Sequence, residues 1–139
     1  TWNVNGEKIE LKRTTSNKIQ TINSLFSAQD IIEAQKLIRK IPVADNVIEY
    51  AVALVGKTRP KSKEATKLVI SYLDWGAGPR ASQNLILAAK AHAVVNGKFS
   101  PDIEDVRAVA IPILSHRIVK NYKAEAEGIT VSDIIKSLF

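Results

Sequence analysis

Trp75-Gly76-Ala77-Gly78-Pro79-Arg80-Ala81-Ser82-Gln83 reads as a loop that turns into a helix and carries an arginine on the helix's first turn. Pro79 suits the first helical position because the N–H it lacks would have been unpaired there, and Gly78 lets the chain turn in tightly at the N-cap. Arg80 follows at once. A helix N-terminus offers free backbone N–H groups and roughly half a positive charge, so a guanidinium there adds a forked, permanently charged donor to an anion-attracting spot. On spacing alone, an arginine near a helix start is most often a solvated surface residue, so the surrounding sequence has to decide.

Downstream of Pro79, Leu85, Ile86, Leu87, Ala88, Ala89, Ala91 and Ala93 spread around much of a helix that runs to about Asn96 and stops at Gly97, which predicts a central helix. Upstream, Ala65, Leu68, Val69, Tyr72 and Leu73 keep helical spacing from a start at Ser62 and deliver Trp75 as an aromatic anchor for the loop. A helix from Asp45 to Val55, with Ile48, Ala51, Val52 and Val55 inward, stops near Gly56. Before it, Ser27 caps with Asp30 and puts Ile31, Ala34, Ile38 and Ile41 on one stripe, ended by Pro42. Towards the C-terminus, Ser100 as cap and Pro101 at the first position open a helix through Val106, Ala110 and Ile113, which Pro112 is expected to kink or restart. Thr130 with Asp133 opens the last one, with Val131, Ile134, Ile135 and Leu138 on one face.

At the other end, Trp2-Asn3-Val4 and Lys8-Ile9-Glu10-Leu11 alternate apolar and polar residues around Asn5-Gly6, a hairpin signal, and the polar stretch from Thr14 to Asn23 reads as a linker. The expected fold is mainly α: a compact bundle of five to six helices with a small N-terminal β-hairpin. The expected division is residues 1–23 as hairpin and linker and residues 24–139 as the helical domain.

Composition narrows the function classes. The 139 residues make one domain's worth of core, and 45% hydrophobic content argues against disorder. The chain opens at Thr1 and has no methionine, so the expectation is an excised piece of a longer frame, or a processed precursor. Without cysteine there is no disulfide framework and no thiolate metal site, which is compatible with a reducing cytoplasm. No apolar run reaches the about 18 residues of a membrane span, and the expectation is a soluble, cytoplasmic protein.

The net charge of +6 concentrates at Lys57, Arg59, Lys61, Lys63 and Lys67, broken among acids only by Glu64. No aromatic residues interleave there to stack bases, so the stretch reads as a solvated loop rather than a nucleic-acid surface. Catalytic chemistry is scarce. Of the two histidines, His92 sits on the central helix as a packed or surface residue and His116 precedes Arg117, and neither has ligand-spaced partners, so no metal site is expected. Asp102, Glu104 and Asp105 suit the first turn of a helix through its dipole. There is no Gly-x-x-x-x-Gly-Lys-Ser/Thr loop and no apolar strand ending in Asp-Glu, so the chain by itself should not hydrolyse ATP.

The order Ile41-Pro42-Val43-Ala44-Asp45, Trp75 to Gln83, Leu85-Ile86-Leu87-Ala88-Ala89-Lys90-Ala91, Asp105-Val106-Arg107-Ala108-Val109-Ala110-Ile111-Pro112-Ile113-Leu114-Ser115-His116-Arg117-Ile118 and Glu125-Ala126-Glu127-Gly128 resembles the C-terminal lid of MoxR-type AAA+ ATPases over residues 27–139. The resemblance implies that Arg80, in its Gly78-Pro79-Arg80 word, is the sensor 2 residue that leans onto the terminal phosphate of ATP, with Gly78 and Pro79 beside it at the nucleotide. It implies ATP and magnesium as cofactors of a full-length parent, with none held tightly by this piece. It further implies that the lid's partners are its own ATPase core and neighbouring subunits of a hexameric ring, a chaperone-like remodeller that works beside proteins with von Willebrand A domains. The His116-Arg117 pair also matches the family, as a structural or a subunit-contact pair. A basic helical adaptor or DNA-binding domain, and a purely structural bundle, remain the other readings.

Overall fold

The computed structural model describes Ile9, Leu11, Lys12, Thr15 and residues 23–139. The chain divides into two units, Thr1–Ile31 and Ile32–Phe139. In the first unit, the strand Trp2-Asn3-Val4, the turn Asn5-Gly6 and most of the linker expected from Thr14 to Asn23 lie outside the described residues. Ile9 and Leu11, expected in the second hairpin strand, are helical, as is Lys12. Glutamate, leucine and lysine are strong helix formers, and here that propensity overrides the period-two pattern. Ser27 caps as expected: its N–H donates to the Asp30 carboxylate at 2.7 Å, and the Asp30 N–H donates back to the Ser27 hydroxyl at 3.1 Å.

Residues 23–139 form seven helices and two short strands: α1 (Ala28–Lys40), α2 (Asp45–Lys57), α3 (Lys67–Tyr72), β1 (Leu73–Trp75), α4 (Pro79–Val95), α5 (Ile103–Leu114), β2 (Val119–Lys120), α6 (Tyr122–Ala126) and α7 (Val131–Lys136). The mainly helical architecture is the expected one. The sheet, however, lies between β1 and β2, which pair antiparallel with Leu73 opposite Lys120 and Trp75 opposite Val119. Two strands this short, so far apart in sequence, carry no local alternation to read.

In the second unit α4 is central and packs against both α2 and α5. Its buried residues Ala81, Leu85, Ala89 and Ala93 repeat every fourth position, a narrow stripe whose alanines admit close neighbours. Around it the core collects Leu54 and Val55 from α2, Val106, Ala110 and Leu114 from α5, and Ile134, Ile135 and Leu138 from the C-terminal segment. Arg107 of α5 ties to α2 by donating from Nε to the Tyr50 hydroxyl at 2.8 Å, and Lys57 closes the C-terminus onto α2 by donating to the Leu138 carbonyl.

Several expected details are corrected. The inner face of α2 is Val47, Ala51, Leu54 and Val55, while Ile48 and Val52 are exposed. That helix is apolar on too many sides for periodicity to choose the face. α3 starts at Lys67 behind Thr66, whose hydroxyl accepts the Val69 N–H, rather than at Ser62. α5 is capped by Asp102, not Ser100, because Asp102 and Asp105 form a reciprocal capping box. Pro112 neither ends nor restarts α5, which is assigned continuously from Ile103 to Leu114. Pro112 and Ala108, whose carbonyl loses its helical bond, both lie on the exposed face, where the freed oxygen is not sealed in the core. No residue of α1 is fully buried, so of its expected stripe Ile31 and Ala34 are exposed and Ile38 is half-buried. The last helix is as expected, with Thr130 and Asp133 in a capping box and Ile134 and Ile135 buried.

Candidate functional site

The loop between β1 and α4 is held from both sides. On one side the antiparallel pairing fixes β1, reinforced by the Asn121 N–H on the Tyr72 carbonyl at 3.0 Å and the Asn121 amide on the Ser71 carbonyl at 2.8 Å. On the other side the loop lies against the C-terminus of α2. Thr58, fully buried, donates its hydroxyl to the Val55 carbonyl at 2.7 Å and accepts the Ala77 N–H at 2.9 Å. Arg59 then donates from Nε to the Ala77 carbonyl at 3.0 Å. Two consecutive side chains thus satisfy both backbone groups of one buried alanine.

Gly76 makes that approach possible. A Cβ built on it would stand 2.4 Å from the Thr58 carbonyl oxygen and 2.6 Å from the Arg59 Cα, both backbone atoms. Gly78, by contrast, has φ −84° and ψ 177°, an ordinary extended conformation, and a Cβ there would meet nothing within 4 Å. The tight turn expected at Gly78 is therefore absent, and the glycine that this fold requires is Gly76.

Beyond the loop the helix opens as expected, with Gly78 at the N-cap and Pro79 at the first position. No side chain caps it, and Gly78, Pro79 and Arg80 are all exposed. Among the described residues Arg80 has no hydrogen-bond or ion-pair partner. The structure thus presents a free guanidinium on the first turn of a 17-residue helix, where the helix field attracts anions. Beside this turn a groove of about 700 Å³ is lined by Arg59, Lys63, Glu64, Pro79, Ser82 and Gln83, among others.

Trp75 does not anchor the loop. It is 72% exposed, because the strand is irregular between Leu73 and Trp75 and the tryptophan does not follow Leu73 inward. The basic stretch is also less of a patch than its sequence suggests, since Lys57 and Arg59 are spent on internal carbonyls and only Lys61, Lys63 and Lys67 remain fully outward.

The far end of α4 holds a cluster that sequence reasoning read only as helix-dipole chemistry. Asp105 is buried and accepts from His92 Nδ1 at 2.7 Å, from Lys98 Nζ at 3.1 Å and from the Asp102 N–H at 2.9 Å. Burial pushes its carboxyl up, but the hydrogen bonds from Asp102, His92 and Lys98 outweigh that and hold it at about 2. His92 remains 39% exposed and shares its ring with the Asn96 amide. His116 is exposed, while Nε of its neighbour Arg117 is buried without a hydrogen-bond partner among the described residues. Among the described residues no three His, Cys, Asp or Glu side chains gather as a metal site, and no helix is long and apolar enough to cross a membrane.

Residues 66–138 match a family model described as the AAA lid domain. Chaperone MoxR1 from Mycobacterium tuberculosis (strain ATCC 25618 / H37Rv) is 32% identical over 111 residues, which is 80% of this chain and 29% of that protein. The uncharacterized protein YeaC from Bacillus subtilis (strain 168) is 27% identical over 123 residues, 88% of this chain and 36% of its own length. Among solved structures, a "putative ATPase" from Cytophaga hutchinsonii ATCC 33406 superimposes with a TM-score of 0.82 at 32% identity, covering 99% of this chain and 42% of that one. The chain therefore spans roughly a third of the length of the curated relatives it matches.

Proposed function

We propose a use for Arg80 from this premise: the chain belongs to the AAA lid domain family, as the C-terminal lid of a MoxR-type AAA+ ATPase. The lid closes over ATP bound to a nucleotide-binding core, and Arg80 is the sensor 2 residue, reaching a γ-phosphate oxygen with Gly78 and Pro79 beside the nucleotide. The observation that supports this most is the free, exposed guanidinium on a helix N-terminal turn whose loop is fixed on both sides. It fits a phosphate in charge and geometry. Among the described residues no three acids or histidines gather to hold magnesium.

In this role the chain's residues supply positioning and charge rather than bond making. Arg80 neutralises charge that develops on the transferred phosphoryl group, and departure of that group removes the contact and frees the lid to rotate. Full-length subunits then act as a ring, a hexamer, in which each lid contacts its own core and a neighbour. Cytoplasmic remodelling of client proteins, alongside von Willebrand A domain partners, completes the reading. Division at residue 24, with 24–139 as the lid, is part of the same proposal.

The test is Arg80→Ala in the full-length ATPase. Losing a charge-assisted hydrogen bond of about 1.5 to 3 kcal/mol slows hydrolysis by about ten- to a hundredfold. ADP affinity changes much less, because ADP lacks the phosphate concerned. Arg80→Lys restores only part of the rate, lacking the planar fork. Hydrolysis at the parent rate in Arg80→Ala would refute the assignment.

A further inference from the structure

The contacts that fix the loop converge on a single residue, three positions before Arg80. Ala77 is buried, its N–H is held by Thr58 and its carbonyl by Arg59, and Gly76 beside it touches the Thr58 backbone. After Ala77 come only Gly78 and Pro79, and the Ala81 N–H closes the first turn onto the Gly78 carbonyl at 2.9 Å. Any rotation of the backbone at Ala77 therefore re-aims the first turn of α4 and the side chain it carries. Among the described residues no side chain caps that turn.

We propose that Thr58 and Arg59 are positioning residues: they set the direction of the first turn of α4 and thereby hold Arg80 where it meets the terminal phosphate. The inference rests on the reading of Arg80 as the phosphate-contacting residue. It assigns a function to two members of a stretch whose charges otherwise look like surface decoration. Thr58 acts without charge, through a hydroxyl that is donor to Val55 and acceptor from Ala77 at once. A serine can repeat that pair of bonds, and a valine of nearly the same shape can make neither. Arg59 is exposed, so its removal leaves the core intact while freeing the Ala77 carbonyl.

The experiment compares Thr58→Val, Thr58→Ser and Arg59→Ala with Arg80→Ala in the full-length ATPase, together with the double variant Thr58→Val/Arg80→Ala. Misplacing a reacting-group contact by about 1 Å costs up to about a hundredfold, and a partial release of the loop should lower kcat for ATP by about tenfold. Thr58→Ser should stay within about threefold of the parent, and Arg59→Ala should lose about threefold to tenfold while remaining folded at the assay temperature. The deciding readout is coupling: with Arg80 already removed, Thr58→Val should cost nothing further, because it acts through that side chain.

Multiplicative losses in the double variant would overturn the proposal, as would an unchanged rate in Arg59→Ala while Arg80→Ala is slow. If Thr58→Val unfolds, the double variant Arg59→Ala/Arg80→Ala carries the same coupling test. An unimpaired Arg80→Ala enzyme is a different failure, since it removes the phosphate reading itself and this inference with it.

Discussion

Gly76→Ala tests the packing argument with a single methyl group. Its Cβ would lie 2.4 Å from the Thr58 carbonyl oxygen, 2.6 Å from the Thr58 carbonyl carbon and 2.6 Å from the Arg59 Cα. Ordinary contact begins at 3.4 Å, so the two backbones must separate by 3.4 − 2.4, about 1 Å. None of the opposing atoms is the tip of a flexible side chain, so the strain cannot be relieved by a rotamer change. Overpacking of this kind costs about 1 to 3 kcal/mol. Separation also stretches the 2.9 Å bond from the Ala77 N–H to Thr58, and an unsatisfied buried donor adds about 1 to 3 kcal/mol. A total of about 2 to 6 kcal/mol, at roughly 3 to 5 °C per kcal/mol for a domain of this size, lowers Tm by about 6 to 30 °C. Differential scanning calorimetry of the 139-residue chain reads this directly. Gly78→Ala is the control two residues away: with open space and an extended backbone, it should stay within about 1 kcal/mol of the parent, the lost flexibility of the unfolded chain offsetting a poorer N-cap. Equal melting of Gly76→Ala and the parent would refute the packing argument.

Asp105→Asn should be less stable near neutral pH, with the gap closing under acid. The folded carboxyl is depressed from 3.8 to about 2, so its contribution is present above about pH 4 and is lost as pH falls through about 2. That contribution is about 2 kcal/mol, and a constant difference between parent and variant across this range in urea titrations would sink the account. Trp75→Ala should shift Tm by less than about 5 °C, because an exposed edge aromatic loses only a cross-strand pair with Val119 worth under about 1 kcal/mol. A large drop would mean that Trp75 packs more tightly than its exposure allows.

Legibility followed the range of the interaction. Ser27 with Asp30, Thr130 with Asp133, Pro79 at a helix start and Gly97 at its end are all signals within three or four residues, and each appears where the sequence puts it. Gly97 has φ +74°, and the Lys98 N–H bonds back to the Ala93 carbonyl at 2.8 Å, so the stop is enforced by geometry that glycine alone adopts cheaply. Two helix starts were misjudged between neighbouring caps, Thr66 for Ser62 and Asp102 for Ser100, but what left no local trace depended on distant partners. Thr58 is 19 residues from Ala77, and no property of a threonine after a glycine and a lysine announces that its hydroxyl will hold another loop. Asp105 looked like one of three acids at a helix start. Its burial follows from His92 and Lys98, which only the fold brings to it. The helix start that carries Arg80 was legible because its signals, Gly78 and Pro79, are local.

The two fixed points of α4 together constrain how a phosphate contact could move the domain. Its N-terminus is tied to α2 through Ala77, Thr58 and Arg59, and its C-terminus to the start of α5 through His92 and Asp105, with Lys98 bridging Asp105 and Asp102. Between them runs a helix of 17 residues, about 25 Å at 1.5 Å per residue, buried along the Ala81, Leu85, Ala89 and Ala93 stripe. Closely packed interiors resist sliding by fractions of a side chain. A pull on Arg80 therefore cannot draw α4 out of its neighbours without breaking both ties. If Arg80 meets the phosphate as proposed, such a pull turns α2, α4 and α5 together, so that a contact at one exposed guanidinium becomes a rotation of the packed lid rather than a local shift of one helix.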